Sequence, residues 1–156
     1  MLSSIKMRMI LFLDFDGVLH PAVCASDADL LRCRPLLESV LHACPHVDIV
    51  ISSTWRESRT LAQLQTLFSV DIGARIVGVT PQWQELQDDA SMGTYVCQAE
   101  IEAWLRHAGR AWEAWVAIDD QLRLFRPFLP NLVRSDPATG LTEEVCAALN
   151  AKLRSA

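Results

Sequence analysis

The stretch "ILFLDFDGVLHP", Ile10 to Pro21, decides the fold. Five apolar residues, Met9 to Leu13, run without a break into Asp14, and Phe15, Asp16 and Gly17 follow. A short continuous apolar run reads as a strand buried on both faces. This one stops on two carboxylates at i and i+2. In a continuing strand, Asp14 and Asp16 would share one face. Gly17 instead frees the backbone to turn there.

Outward from this strand (Met7 to Leu13), short β-like runs alternate with helical stretches. Pro35 to Cys44 is expected to be a helix, with Pro35 in its first turn and Leu36, Leu37, Val40, Leu41 and Cys44 on one side. Val47 to Ser52 reads as a second strand rich in β-branched residues. A helix is expected from Glu57 to Phe68, a third strand from Ala74 to Val79, and a polar loop from Thr80 to Thr94. Val96 to His107 reads as a helix burying Ile101, Trp104 and Leu105. Ala114 to Ile118 and Asn131 to Ser135 read as the last two strands. The closing stretch "GLTEEVCAALNAKL" predicts a helix with Thr142 as N-cap and two glutamates in its first turn. This alternation implies an α/β fold: a three-layer, Rossmann-like parallel sheet with helices on both faces, in one domain over residues 1–156. Ligands of such sheets bind at the carboxyl ends of the strands. Asp14 closes strand one, Ser52 closes strand two, and Asp119 follows strand four, so all three are expected in one crevice.

Bulk properties agree with a soluble globular domain. The chain has 156 residues, about half of them hydrophobic, and a net charge of −5. That balance argues against bulk affinity for nucleic acid or membrane surfaces. No apolar run approaches the roughly 20 residues that span a bilayer. The N-terminal "MLSSIKMRM" has no signal-peptide pattern, and a cytoplasmic location is expected. The cysteines number five and form no CxxC pair, so reduced, buried thiols are expected and a structural zinc site is not.

A second acidic pair, Asp119 and Asp120, follows "AWVAI". Four carboxylates in one crevice do not all ionise cheaply without a counter-charge. Oxygen-only ligands with positions left for water and phosphate suit Mg²⁺. Beside a cation that holds a phosphate, an Asp is able to act as nucleophile. A second acid two residues on is able to protonate the leaving oxygen and then activate water.

These residues resemble motifs of the haloacid dehalogenase (HAD) superfamily. "FLDFDGVLHP" is similar to its first motif, "DIVISSTWR" to its second and "VAIDD" to its fourth. With "SSTWR", "EIEAWL", "AIDDQ" and "TGLT", the chain resembles most the small HAD domains grouped with RNA-repair proteins, from about Met7 to Leu153. The resemblance implies Asp14 as nucleophile and metal ligand. Asp16 would be the acid/base, its main-chain carbonyl also touching the metal. Ser52 would bind the phosphoryl group, Asp119 would hold Mg²⁺, and Asp120 would do so directly or through water. It implies a Mg²⁺-dependent phosphohydrolase that forms an aspartyl-phosphate. Thirty-five residues separate Asp16 from Ser52, too few for a large independent cap. An open site would admit a bulky phosphorylated substrate such as a polynucleotide end or a phosphoprotein.

One position departs from the pattern. The family's basic third-motif residue is expected three positions before "EI", where this chain has Cys97. The lysines, Lys6 and Lys152, lie near the ends. Arg56 in "STWR" is the expected substitute for binding phosphate, with Arg75 weaker because it begins a strand at the far edge. The gap also opens a second reading, a catalytically weak domain that binds a phospho-ligand or serves as an interaction module. His20 lies beside the first motif, as a substrate contact or a capping residue. Of the five tryptophans, Trp83 in the polar loop is the one left as a candidate substrate contact.

Overall fold

The computed structural model describes residues 7–86 and 95–155. Its centre is a five-stranded sheet, every pairing parallel, in the order β3-β2-β1-β4-β5. The strands are β1 (Met9–Leu13), β2 (Val47–Ile51), β3 (Ile76–Val79), β4 (Ala114–Asp119) and β5 (Leu132–Arg134). β1 is central, which is why its sequence is apolar throughout: alternate side chains enter two different cores. Met9, Leu11 and Leu13 pack with Leu37 and Leu41 of α1 (Arg34–Ala43) and with Leu149 and Leu153 of α5 (Glu143–Arg154). Ile10 and Phe12 face the other way, onto Ile101 and Leu105 of α4 (Val96–His107). Phe12 lies edge-on between Trp104 and Trp115, with ring centroids 5.8 and 5.7 Å away, which accounts for two of the tryptophans as core residues. The α/β architecture with helices on both faces is therefore the one the alternation of the sequence implies.

Most elements fall where periodicity puts them, and Thr142 caps α5 by accepting a hydrogen bond from the Val145 amide. The helix expected over Glu57–Phe68 is different. It is a 3-10 turn (Thr54–Glu57) capped by Ser53, then α2 (Leu61–Gln65) and α3 (Val70–Gly73). The break has a local cause. Thr60 and Gln63 form a reciprocal capping box, which starts a new helix after the turn. α3 then folds back onto the end of α2 so tightly that a Cβ at Gly73 would strike the Gln65 carbonyl. β3 consequently begins at Ile76. Arg75 belongs to the preceding turn and binds the carbonyls of Val47, Leu41 and Cys44.

Residues 14–33, between β1 and α1, carry one short 3-10 turn (Asp27–Asp29). Of the expected polar loop, Trp83–Glu85 forms another such turn, and residues 87–94 lie outside the described residues, as do 1–6. All five cysteines are free. No helix among the described residues is long and apolar enough to cross a membrane.

Candidate active site

The parallel ladder continues one residue past the strands and lines polar groups along one edge. Asp14 donates its amide to the Ile118 carbonyl at 3.2 Å, and Ser52 donates to Leu13 at 2.9 Å. Asp14 is thereby drawn between the ends of β2 and β4. Oxygen atoms of Asp14, Asp119 and Asp120 all lie within 4.8 Å of one another. Asp119 is 4% exposed, and the other two are half-buried. Gly17 makes room for this cluster. Its φ is +79°, and a Cβ there would collide with the Asp120 carboxylate.

Burial pushes the Asp14 carboxyl well above the usual carboxylate range, and Asp119 and Asp120 push it further. Burial likewise raises Asp119 to about 7, opposed by a hydrogen bond from the Gln121 amide and reinforced by Asp120. Asp120 keeps one buried oxygen, Oδ1, without a hydrogen-bond partner. Among the described residues, no arginine or lysine pairs with any of the three. Clustered hard oxygens, one of them unsatisfied and none with a protein counter-charge, fit a small divalent cation such as Mg²⁺.

A stability prediction follows from the raised values. With no metal, the unfolded chain releases these protons near the ordinary carboxylate range, and the folded chain holds them to higher pH. The folded state then binds more protons than the unfolded one, so its stability falls as pH rises from about 4 through about 7. In chelator, unfolding midpoints should drop between pH 5 and pH 8. Mg²⁺ should raise the midpoint more at the higher pH. Midpoints in chelator that do not fall over this range would contradict the repulsion.

The other expected site residues divide. Ser52 lies beside Asp14 across β1 and β2, half-buried. The Asp16 carboxylate stands apart from the acidic cluster. Its Oδ1 is 2.6 Å from Nε2 of His20 and 3.2 Å from Nε1 of Trp55. Arg56 requires a correction. Its side chain is 4% exposed, and its nitrogens are occupied. Nε donates to the Thr80 carbonyl, Nη1 to the Ser52 and Ser53 carbonyls, and Nη2 to Glu100 Oε2 at 2.9 Å. Glu100 Oε2 also accepts the Trp83 amide. Arg56 thus ties the segment after β2 to α4 and offers no free donor to a phosphate. Cys97, in the first turn of α4, sits close enough to Asp119 and Asp14 for their charges to add to burial in raising its thiol far above the usual range. A neutral thiol therefore borders the carboxylates where a basic residue was expected. Trp83 is exposed on its turn, and its backbone serves Glu100.

Sequence reasoning missed Trp55 as a contact of Asp16 and left His20 undecided. Both lie within the quoted motifs, which is the signal that was present. Their meeting at Asp16 depends on the turn from Asp16 to His20 and the 3-10 turn after β2, which have no periodicity to read.

A family model described as the HAD domain in Swiss Army Knife RNA repair proteins matches residues 10–146. Neither the comparison with curated proteins nor that with solved structures gives a match.

Proposed function

Because the chain belongs to the family of HAD domains in Swiss Army Knife RNA repair proteins, we propose that it is a Mg²⁺-dependent phosphohydrolase acting through an aspartyl-phosphate. The observation that carries this reading is the convergence of Asp14, Asp119 and Asp120, with Asp120 Oδ1 buried and without a hydrogen-bond partner. Mg²⁺ would be held by these three carboxylates, with the Asp16 main-chain carbonyl as a further oxygen, and would supply positive charge to the phosphoryl oxygens.

The chain's own residues do the rest. An Asp14 oxygen attacks phosphorus and forms an acyl phosphate as the bond to the leaving oxygen breaks. Asp16 gives its proton to that oxygen. Its carboxylate then takes a proton from water, whose oxygen attacks phosphorus and frees Asp14 and inorganic phosphate. Ser52, beside Asp14, holds a phosphoryl oxygen. The short connection after β1 leaves the site open, which suits a bulky phosphomonoester, a polynucleotide end or a phosphoprotein, in the cytoplasm. Turnover of a small aryl phosphate by purified protein, with Mg²⁺ and with chelator, tests the reading. Mg²⁺-dependent release of phosphate is expected. A folded, Mg²⁺-loaded protein that releases none would favour the second reading, a phospho-ligand-binding module.

Cys97 is the observation behind that second reading. A positioned charge at a developing anion is commonly worth about 3–4 kcal/mol, two orders of magnitude or more in rate. With Arg56 occupied elsewhere, Cys97→Lys is expected to raise kcat/KM on the aryl phosphate by at least about tenfold. Brisk wild-type turnover that this substitution leaves unchanged would mean that the site needs no further cation.

A further inference from the structure

We propose that His20 and Trp55 are positioning residues that grip one oxygen of Asp16, keep its carboxylate off the metal cluster, and leave Oδ2 as the oxygen that hands its proton to the leaving group. The inference rests on the phosphohydrolase reading and names residues which that reading does not use.

His20 is 1% exposed and follows the turn that carries Asp16. Its Nδ1 accepts the Leu31 amide at 3.2 Å, so that nitrogen carries no proton. The ring proton is then on Nε2, which donates to Asp16 Oδ1 at 2.6 Å. Leu31 is held at φ +61°, a conformation that a residue with a branched side chain seldom adopts. The surrounding fold therefore dictates this geometry, and with it the tautomer.

Trp55 supplies the second donor. An indole N–H only donates, and here it reaches the same Oδ1 at 3.2 Å. The indole is itself fixed. Phe15 meets it edge-on at 5.2 Å, the His20 ring lies at 5.6 Å, and the Arg59 guanidinium covers it at 4.2 Å.

Two N–H groups aimed at Oδ1 leave no room there for an acid proton, so the protonated form carries it on Oδ2. The Asp16 side chain is 47% exposed and would otherwise turn freely in solvent. A cation held by three nearby acids would also attract a fourth carboxylate two residues from Asp14. The two donors oppose both motions. In the first half-reaction, the Asp14 oxygen–phosphorus bond forms, the phosphorus–leaving-oxygen bond breaks, and the Oδ2 proton moves to the leaving oxygen.

The experiment uses the full chain with Mg²⁺ and Trp55→Phe, which keeps an aromatic ring and removes the donor. Single-turnover release of the leaving alcohol is compared for nitrophenyl phosphate, whose phenolate leaves without a proton, and for a simple alkyl phosphate, whose alkoxide needs one. Asp16→Asn in the same assay sets the full loss. General-acid catalysis commonly contributes about 10²–10⁴-fold, so the alkyl rate should fall at least about tenfold more than the nitrophenyl rate. His20→Leu should fall in the same sense if it folds; Trp55→Phe decides the matter if it does not. Equal loss on both substrates would reduce Trp55 to a packing residue and overturn the proposal, as would no loss on either. A wild type that turns over neither substrate would overturn the phosphohydrolase reading itself, a result distinct from the other two.

Discussion

Asp14→Asn is expected to abolish phosphate release, by at least about four orders of magnitude, while the folded protein gains stability in the absence of metal. Removing a nucleophile from a hydrolase commonly costs that much or more, because the groups around it act as a unit. The amide keeps the size of the carboxyl and the half-buried position at the end of β1. It removes the negative charge that burial and the neighbours Asp119 and Asp120 disfavour. The gain should appear in chelator and grow as pH rises through about 7, where the wild-type carboxylates ionise and repel. It should shrink in Mg²⁺, since the variant has lost a charged ligand. Kinetics on protein purified free of host phosphatases, together with thermal unfolding, check both halves. Wild-type turnover by this variant would remove Asp14 from the mechanism.

Arg56→Ala is expected to destabilise the protein by about 3–5 kcal/mol, the usual cost of stripping one partner from a buried ion pair. Glu100, now 7% exposed, would be left with no counter-charge, the carbonyls of Ser52 and Thr80 would lose the Arg56 side-chain donor, and that of Ser53 would keep only the residue 56 amide. Burial already raises the Glu100 carboxyl against the pull of Arg56, so the remaining acid would tend to take up a proton. Glu100→Gln in the Arg56→Ala background should therefore recover part of the loss, since it removes the orphaned charge. Chemical denaturation of the two variants and the wild type measures both effects. An Arg56→Ala protein as stable as the wild type would show that the pair does not join the segment after β2 to α4.

The fold was readable because a sheet covered on both faces forces its central strands to be largely apolar: β1 is an unbroken apolar run, β4 is one that ends on Asp119, and β2 is one interrupted by Asp48, which pairs with Arg8 and Arg110. The meeting of Asp14 with Asp119 and Asp120 follows from the same pattern, since parallel neighbours end at one edge. Arg56 shows the limit. Its place next to Ser52 says where its backbone lies, but its guanidinium turns to Glu100, 44 residues away in "EIEAWL", and neither motif shows that the two pair. The break between the 3-10 turn and α2, and the early end of α2 at Gln65, were hidden because Leu61, Leu64, Leu67 and Phe68 keep helical spacing as far as Phe68. Thr60 and Gln63 carried the signal for the break, as a threonine followed three residues later by glutamine. Trp55 meets Asp16 from the turn after β2, 39 residues on, and His20 from four residues on across a non-helical turn, so neither propensity nor periodicity aims them at one oxygen.

The central claim is that phosphate passes through Asp14. It is tested most directly by quenching the Mg²⁺-loaded protein during turnover of an aryl phosphate, reducing with borohydride, and sequencing the peptides by mass spectrometry. An acyl phosphate is reduced to an alcohol, so residue 14 should appear as homoserine, only with both substrate and Mg²⁺ present. Turnover that leaves Asp14 unmodified, with the label on another residue or on none, would contradict the account.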